Sequence, residues 1–395
     1  MSDLDDFRAR VREFLDAHAE RRPHGTAPKW GEGEDRLSGF TTHTDEEEKA
    51  ETAAARAWRR ELFDAGFGWL TGPVEYGGAG LGPEYQEAYD ELAADYRIPG
   101  QRCFVVGLGI VGPTIAGHAD HAIKERYLAP LHRADLMACQ LFSEPEAGSD
   151  LAGVRTRAVR EEGGWRVTGQ KVWTSGAHYS DIGELLVRTD PEAPKHRGLT
   201  IMIVDMHDPA IEVRPLRQIT GNADFNEVFI DGLFVPDSHV VGEPGTGWRV
   251  ATSTLSTERR TMSRGGNTRD YDPLPRLQAA ARALGRTDAA TRLQLAELTV
   301  LSRVVAATTR ALAADEERAA YAPALGKLLM TDYLLRLRSV ADHVIGPGIV
   351  ADTGEWGTWA WHELTVRVMS QRIAGGTDEI LKNIVSERML GLPRG

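Results

Sequence analysis

The texture of the chain changes twice, and those changes constrain its fold. Residues 154–159, 165–168, 185–188, 199–205, 211–215 and 227–230 are short segments rich in β-branched residues, separated by turn sequences such as E-E-G-G and D-P-E-A-P. Short strands at even spacing predict an antiparallel barrel or sandwich rather than βαβ units. Before them the pattern is helical: Phe7, Val11, Phe14, Leu15 and His18 share one stripe of a helix over residues 3–20, behind a Ser2 or Asp3 cap. Helical patterns recur over residues 46–66 and 84–94, with Pro73, Gly77, Gly78 and Gly80 marking the turn between them, whereas 24–44 reads as a loop. After Gly247 helical periodicity returns, with Leu293, Ala296, Leu298, Leu301 and Val305 in one apolar pattern before Pro323 and another pattern beginning near Leu325. The expectation is an α+β multidomain chain: an N-terminal helical domain over 1–135, a central β domain over 136–240 and a C-terminal helical domain over 241–395.

At 395 residues the chain exceeds one ordinary core and can bury several. Its net charge of -12, with no basic stripe, argues against nucleic acid as a partner, because phosphate binding needs concentrated Lys and Arg. No apolar run reaches the roughly 18 residues a membrane helix needs, so no membrane association is expected. The opening M-S-D-L-D-D-F lacks the basic-then-apolar pattern of an export signal. Two cysteines, Cys103 and Cys139, form no disulfide framework and suit a reducing compartment. A cytoplasmic location is expected.

Two motif matches fail on context. Gly107 to Gly112 spells G-x-G-x-x-G, yet no βαβ pattern surrounds it and no acidic residue follows at ribose distance, so these are read as packing glycines. His118 and His121 have H-x-x-H spacing without a third ligand nearby, and no metal site is assigned. The string A-C-Q-L-F-S-E-P-E-A-G-S-D from Ala138 to Asp150 is more informative. Ser143 and Ser149 offer hydroxyls, and Gly148 lets the backbone approach a flat ligand with no side chain in the way.

With G-Q-K-V-W-T-S-G at Gly169 to Gly176, Q-I-T-G-N-A-D-F-N-E-V-F-I-D-G-L-F-V-P from Gln218, G-T-G-W-R-V-A from Gly245 and R-I-A-G-G-T-D-E-I-L-K-N-I-V-S-E-R-M-L-G-L-P from Arg372, the chain resembles the acyl-CoA dehydrogenase family over nearly its whole length. The resemblance implies that family's fold, with a helical N-terminal domain, a central β-barrel or sandwich and a C-terminal four-helix bundle. It implies FAD as cofactor, with Phe142, Ser143, Gly148, Ser149, Trp173, Thr174 and Ser175 as flavin contacts, Trp173 covering one ring face and Ser175 near N5. Gly376, Thr377 and Asp378 match the family's G-T-x turn at the ribityl or diphosphate part of the cofactor.

Dehydrogenation beside a thioester needs a base for the α proton and an acceptor for the β hydride. Many members carry the catalytic Glu immediately before the G-T turn, where this chain has Gly375. In the isovaleryl-type branch the Glu lies instead in a string like L-x-x-E-R, here Leu255 to Arg259, so the resemblance implies Glu258 as base. A desolvated Glu with a raised pKa can meet a thioester α proton whose acidity an oxyanion-type donor pair has increased. By resemblance one such donor is the Gly375 backbone N–H, and Arg259, Ser149 and Ala374 are substrate contacts. Ala374 and Gly375 stand where straight-chain members have a bulkier Tyr-Glu pair, which leaves room for a branched or bulky acyl group.

The family's R-x-x-F-G string, whose Arg reaches a neighbouring subunit's FAD, is replaced by Leu284 to Asp288, and its Q-x-x-G-G string survives only as His343 to Pro347. The resemblance implies acyl-CoA as substrate, an electron-transfer flavoprotein as electron acceptor and a homodimer or homotetramer. The departures keep a hetero-oligomer open. A carrier-protein-linked dehydrogenase or oxidase of secondary metabolism, and a non-catalytic subunit of a heteromeric dehydrogenase, are the alternative functions.

Overall fold

A computed structural model of the chain describes residues 3–22, 29–32, 35, 37, 44–264, 273–315, 317–350 and 354–393. The proposed Ser2 cap and most of the 24–44 loop lie outside these residues. The chain divides into two compact units, one of Met1–Pro23 with His43–Glu258, the other of His24–Thr42 with Arg259–Gly395.

The first unit begins with α1 (Asp3–His18), α2 (Asp45–Asp64) and α3 (Pro83–Ala93). The predicted stripe of α1 is its buried face: Phe7, Val11, Phe14 and Leu15 pack with Trp58, Leu62, Phe67 and Tyr89. α2 opens on a capping box. The Thr44 hydroxyl accepts from the Glu47 N–H at 3.2 Å, and the Glu47 carboxylate accepts from the Thr44 N–H at 2.8 Å. A two-residue ladder joins β1 (Glu20–Arg21) to β2 (Tyr96–Arg97). The G-x-G-x-x-G run is a widened helical turn, Gly107–Val111, leading into α4 (Gly112–His118) and α5 (His121–Arg133), and it follows a short helical turn at Arg102–Phe104 rather than a strand.

The sheet contains β3 (Ala138–Leu141), β4 (Arg157–Glu161), β5 (Gly164–Ser175), β6 (Ile182–Arg188), β7 (Leu199–Asp205), β8 (Ile211–Leu216), β9 (Phe225–Pro236) and β10 (Val240–Val241). Their order is β10-β7-β6-β4-β5-β9-β8, with β3 joined to β6 in parallel. Central strands are buried on both faces, which alternate along the chain. On β6, Ile182 and Leu186 face α4 and α5, whereas Leu185 and Val187 face Cys139, Leu141, Val204 and Val228.

Several strands differ from those expected: β6 begins at Ile182 and β9 runs from Phe225 to Pro236, both longer than their expected segments. The segment 154–159 becomes a strand only at Arg157, because the Arg155 and Thr156 N–H groups are engaged by the Glu144 carboxylate. β5 runs through Gly169 to Ser175; a Cβ at Gly169 would overlap Thr156 at 2.4 Å, so this glycine marks a close approach rather than a strand end. β3 is four residues without alternation, which periodicity does not reveal.

In the second unit α7 (Pro273–Ala283), α8 (Ala289–Ala313), α9 (Ala322–Ile345) and α10 (Thr358–Arg367) enclose Leu277, Leu298, Val305, Leu337, Val344 and Trp361. The short α11 (Asp378–Asn383) follows. α6 (Gly247–Arg264) spans the division between the units. The apolar pattern read on α8 is rotated in the structure: Leu298 and Val305 are buried, while Leu293, Val300 and Val304 form an exposed stripe. No described helix is long and apolar enough to cross a membrane.

Candidate active site

The motif loop after β3 is held by a buried ion pair. Lys171 of β5 is fully buried, and its Nζ donates to Glu144 Oε1 at 2.8 Å and to the Phe142 carbonyl at 3.0 Å. Glu144 also accepts from the backbone N–H groups of Arg155 at 2.6 Å and Thr156 at 2.8 Å. Burial pushes its carboxyl up, but Lys171 and these N–H donors outweigh that and hold it below the ordinary range. Burial draws Lys171 down to about 8, against the pull of Glu144. A buried pair with its remaining lone pairs satisfied fixes geometry even where its net energy is small. Here it fixes the loop, helped by the Val172 N–H donating to the Ser143 carbonyl at 2.9 Å. Phe142 is buried and Ser143 half-buried, whereas Gly148 and Ser149 are exposed, and a Cβ at Gly148 would meet nothing within 4 Å.

β5 then breaks register against β9 between Lys171 and Thr174, and at that bulge Trp173 has φ 61°. A bulky residue in the left-handed region is strained, and bulges redirect side chains. The result is an indole 59% exposed, touching Phe225 edge-on at 5.9 Å. The Thr174 hydroxyl is buried with no hydrogen-bond partner among the described residues. Gly176, at φ 64°, ends the strand where a Cβ would run into the Tyr179 ring. His178 closes the segment, its Nε2 2.9 Å from Glu48 of α2 and its Nδ1 3.0 Å from Asn226 of β9.

In the second unit, Ala374 is half-buried and precedes Gly375 at φ 67° and Gly376 at φ 99°. Thr377 caps α11, its hydroxyl accepting from the Ile380 N–H at 3.2 Å. Lys327 donates to the Gly376 carbonyl at 2.9 Å and lies 3.6 Å from Asp378, which also takes Arg372 at 2.9 Å. Arg259 borders the same turn, its Nε 3.9 Å from where a Cβ on Gly376 would sit. Glu258, half-buried, lies on α6 one turn beyond Thr254, whose hydroxyl reaches the buried Glu184 of β6 at 3.0 Å. Burial, with Glu258 adding to it, pushes Glu184 up to about 8. Sequence reasoning passed over Glu144, Lys171 and Glu184. The signal for Glu184 was a lone acid in the apolar run I-G-E-L-L-V, a residue type almost never fully buried without a partner.

Sequence profiles of three domains match: the acyl-CoA dehydrogenase N-terminal domain over residues 2–135, the middle domain over 139–233 and the C-terminal domain over 245–390. The chain belongs to the acyl-CoA dehydrogenase family. It is similar to acyl-CoA dehydrogenase IpdE1 of Mycobacterium tuberculosis, 35% identical over 399 residues that cover 100% of this chain and 99% of that protein. Acyl-CoA dehydrogenase FadE34 of the same organism is 40% identical over 87% of this chain, which spans only 48% of that relative's length. Among solved structures, "Tcur3481-Tcur3483 steroid ACAD" is 25% identical with a TM-score of 0.77, covering 99% of this chain and 98% of that one. Membership makes the protein an FAD-dependent oxidoreductase of the acyl-CoA dehydrogenase type. The residues present fit a flavin: an exposed indole is set by the bulge, an unpartnered buried hydroxyl follows it, and an open glycine lies on the clamped loop.

Removing the clamp cation in Lys171→Met leaves Glu144 buried and uncompensated, at a cost of about 3–5 kcal/mol. A lower Tm and faster FAD loss are expected in thermal melts followed by flavin fluorescence; an unchanged melt would show that the pair does not hold the loop. Trp173→Ala removes an aromatic contact of about 1 kcal/mol, so FAD titrated into apoprotein should bind several-fold more weakly. Equal Kd values would exclude the indole as a flavin contact.

Proposed function

We propose that this protein catalyses α,β-dehydrogenation of a branched or bulky acyl-CoA, with Glu258 as the base and an electron-transfer flavoprotein as acceptor of the electrons. The observation that carries this reading is the pair of exchanges along the chain. Gly375 stands where many relatives have their base, and a carboxylate, Glu258, stands on α6 in the string that supplies it in the isovaleryl-type branch. Glycine at φ 67°, beside Ala374, leaves the turn without bulk, and this supports the assignment of a wide acyl group. The structural relative named as a steroid enzyme supports the same substrate class. The domain boundaries at 135/136 and 240/241 belong to this proposal.

In this reading the α proton passes to a Glu258 carboxylate oxygen. The Gly375 N–H bonds the thioester oxygen, and so stabilises the negative charge that develops there. Bound FAD supplies the two-electron acceptor for the hydride leaving the β carbon. Phe142, Ser143, Gly148, Ser149, Trp173, Thr174 and Ser175 would hold the cofactor, as would Gly376, Thr377 and Asp378. Arg259, Ser149 and Ala374 contact the substrate. A carrier-protein thioester would use the same groups, and the handle on the acyl chain separates that alternative.

A second reading has its own support. The steroid enzyme's name joins two proteins, and the strings that reach a neighbouring subunit's FAD are altered here, so this chain can be one half of a heteromeric pair. The exposed α8 stripe of Leu293, Val300 and Val304 supports subunit association through the helical bundle.

Anaerobic mixing with octanoyl-CoA, isovaleryl-CoA and a steroid-propanoyl-CoA should bleach the flavin with one of the latter two, and Glu258→Gln should slow bleaching by at least about 10³-fold. Bleaching by octanoyl-CoA alone overturns the substrate class; bleaching retained in Glu258→Gln overturns the base. Sedimentation of Val300→Glu/Val304→Glu should show a smaller species than the unaltered protein, and an unchanged sedimentation coefficient would remove α8 from the interface.

A further inference from the structure

Glu184 is fully buried in the middle of β6, and among the described residues no Lys, Arg or His forms an ion pair with it. It shares the face of Ile182 and Leu186, against α4 and α6. An unpaired carboxylate in such a place is costly, and a group so buried takes up a proton instead.

A short chain of hydroxyls and carbonyls leads to it from α4 and α6. Thr114 Oγ1 lies 2.9 Å from the Ile110 carbonyl, and Thr254 Oγ1 lies 3.0 Å from the Val250 carbonyl. The two hydroxyls are 2.9 Å apart, and Thr254 Oγ1 is 3.0 Å from Glu184 Oε1. Four oxygen–oxygen contacts thus share two hydroxyl protons, because carbonyls bring none. Thr254 Oγ1 donates to Glu184 Oε1 as the groups stand; once protonated, Glu184 can reverse that bond and donate a third proton. Among the described residues the other oxygen of Glu184, Oε2, has no hydrogen-bond partner, and neither has Nε2 of Gln140, the residue opposite it in the β3–β6 register.

Thr254 and Glu258 are four residues apart, on one face of α6. We propose that Glu184 is a positioning residue: as a neutral acid it ties Thr254, and with it the turn of α6 that carries Glu258, to β6. The proposal rests on the reading of Glu258 as base. Neutrality matters because a charged Glu184 would repel the Glu258 carboxylate and favour its protonated, inactive form. The titratable or charged groups on the elements packed around it are His118 on α4, His121, Lys124, Glu125, Arg126, Tyr127, His132 and Arg133 on α5, Arg249, Glu258, Arg259 and Arg260 on α6, Arg188 on β6 itself and Asp205 on β7. Cys139 of β3 packs on the opposite face of the sheet.

The test is a carboxyl titration by NMR of the FAD-loaded protein carrying 13C-carboxyl glutamate, with Glu184→Gln to assign the signal. One carboxyl should titrate near pH 8, vanish in Glu184→Gln and titrate lower in Glu258→Gln. Turnover is read with the acyl-CoA that bleaches the flavin fastest among octanoyl-, isovaleryl- and steroid-propanoyl-CoA. Glu184→Leu should lower kcat by about tenfold to 10²-fold with KM within about twofold. Glu184→Gln, neutral and still a donor, should recover most of that loss and abolish the fall in kcat as pH rises past about 8. Thr254→Val should reproduce the kcat loss if Glu184→Leu does not fold. Titration of every glutamate in the ordinary range, or a Glu184 signal unmoved by Glu258→Gln, overturns the proposal. So does unchanged kcat in Glu184→Leu when Glu258→Gln is inactive. Turnover retained in Glu258→Gln instead overturns the base assignment itself.

Discussion

The motif loop after β3 depends on one buried ion pair. Lys171 and Glu144 join β5 to the loop after β3, and the same carboxylate takes the N–H groups of Arg155 and Thr156. Loop, strand and the approach to β4 therefore share one electrostatic centre. The bulge that exposes Trp173 begins directly after Lys171, so the strain at φ 61° is borne by a strand whose preceding residue is locked in the core. A hydrophobic pair of the same volume could fill that space, but it would leave two backbone N–H groups buried without an acceptor.

Carboxylates in this unit are differentiated by what surrounds them. Glu144 is buried with a cation and N–H donors, and is held ionised. Glu184 is fully buried, and burial pushes its carboxyl up to about 8. Glu258 is half-buried on a helix, in register with Thr254. Environments that drive apart the proton affinities of nearby acids are what acid–base chemistry at neutral pH requires.

Much of this was legible in the sequence because it is local. The α1 stripe follows directly from 3.6-residue periodicity, and the motif strings carry their own glycines and hydroxyls. What was not legible depends on partners distant in the chain. Val154 to Thr156 reads as strand by composition, yet a carboxylate some ten residues earlier takes its N–H groups. Gly169 reads as a terminator, yet Thr156 sets the need for it. Leu293 fits an apolar pattern by spacing, but the helix turns that residue outward to solvent. Glu184 has an identity that conflicts with its run, and such conflicts between local and global preference collect where function imposes them.

The central claim is the proposal that Glu258 performs the proton transfer. The most direct measurement is a crystal structure of the FAD-loaded protein with a non-reacting thioether analogue of its acyl-CoA. The account predicts a Glu258 carboxylate oxygen within about 3–3.5 Å of the α carbon, with the Gly375 N–H on the acyl oxygen. A different carboxylate against the α carbon, or a Glu258 turned to solvent, would contradict it.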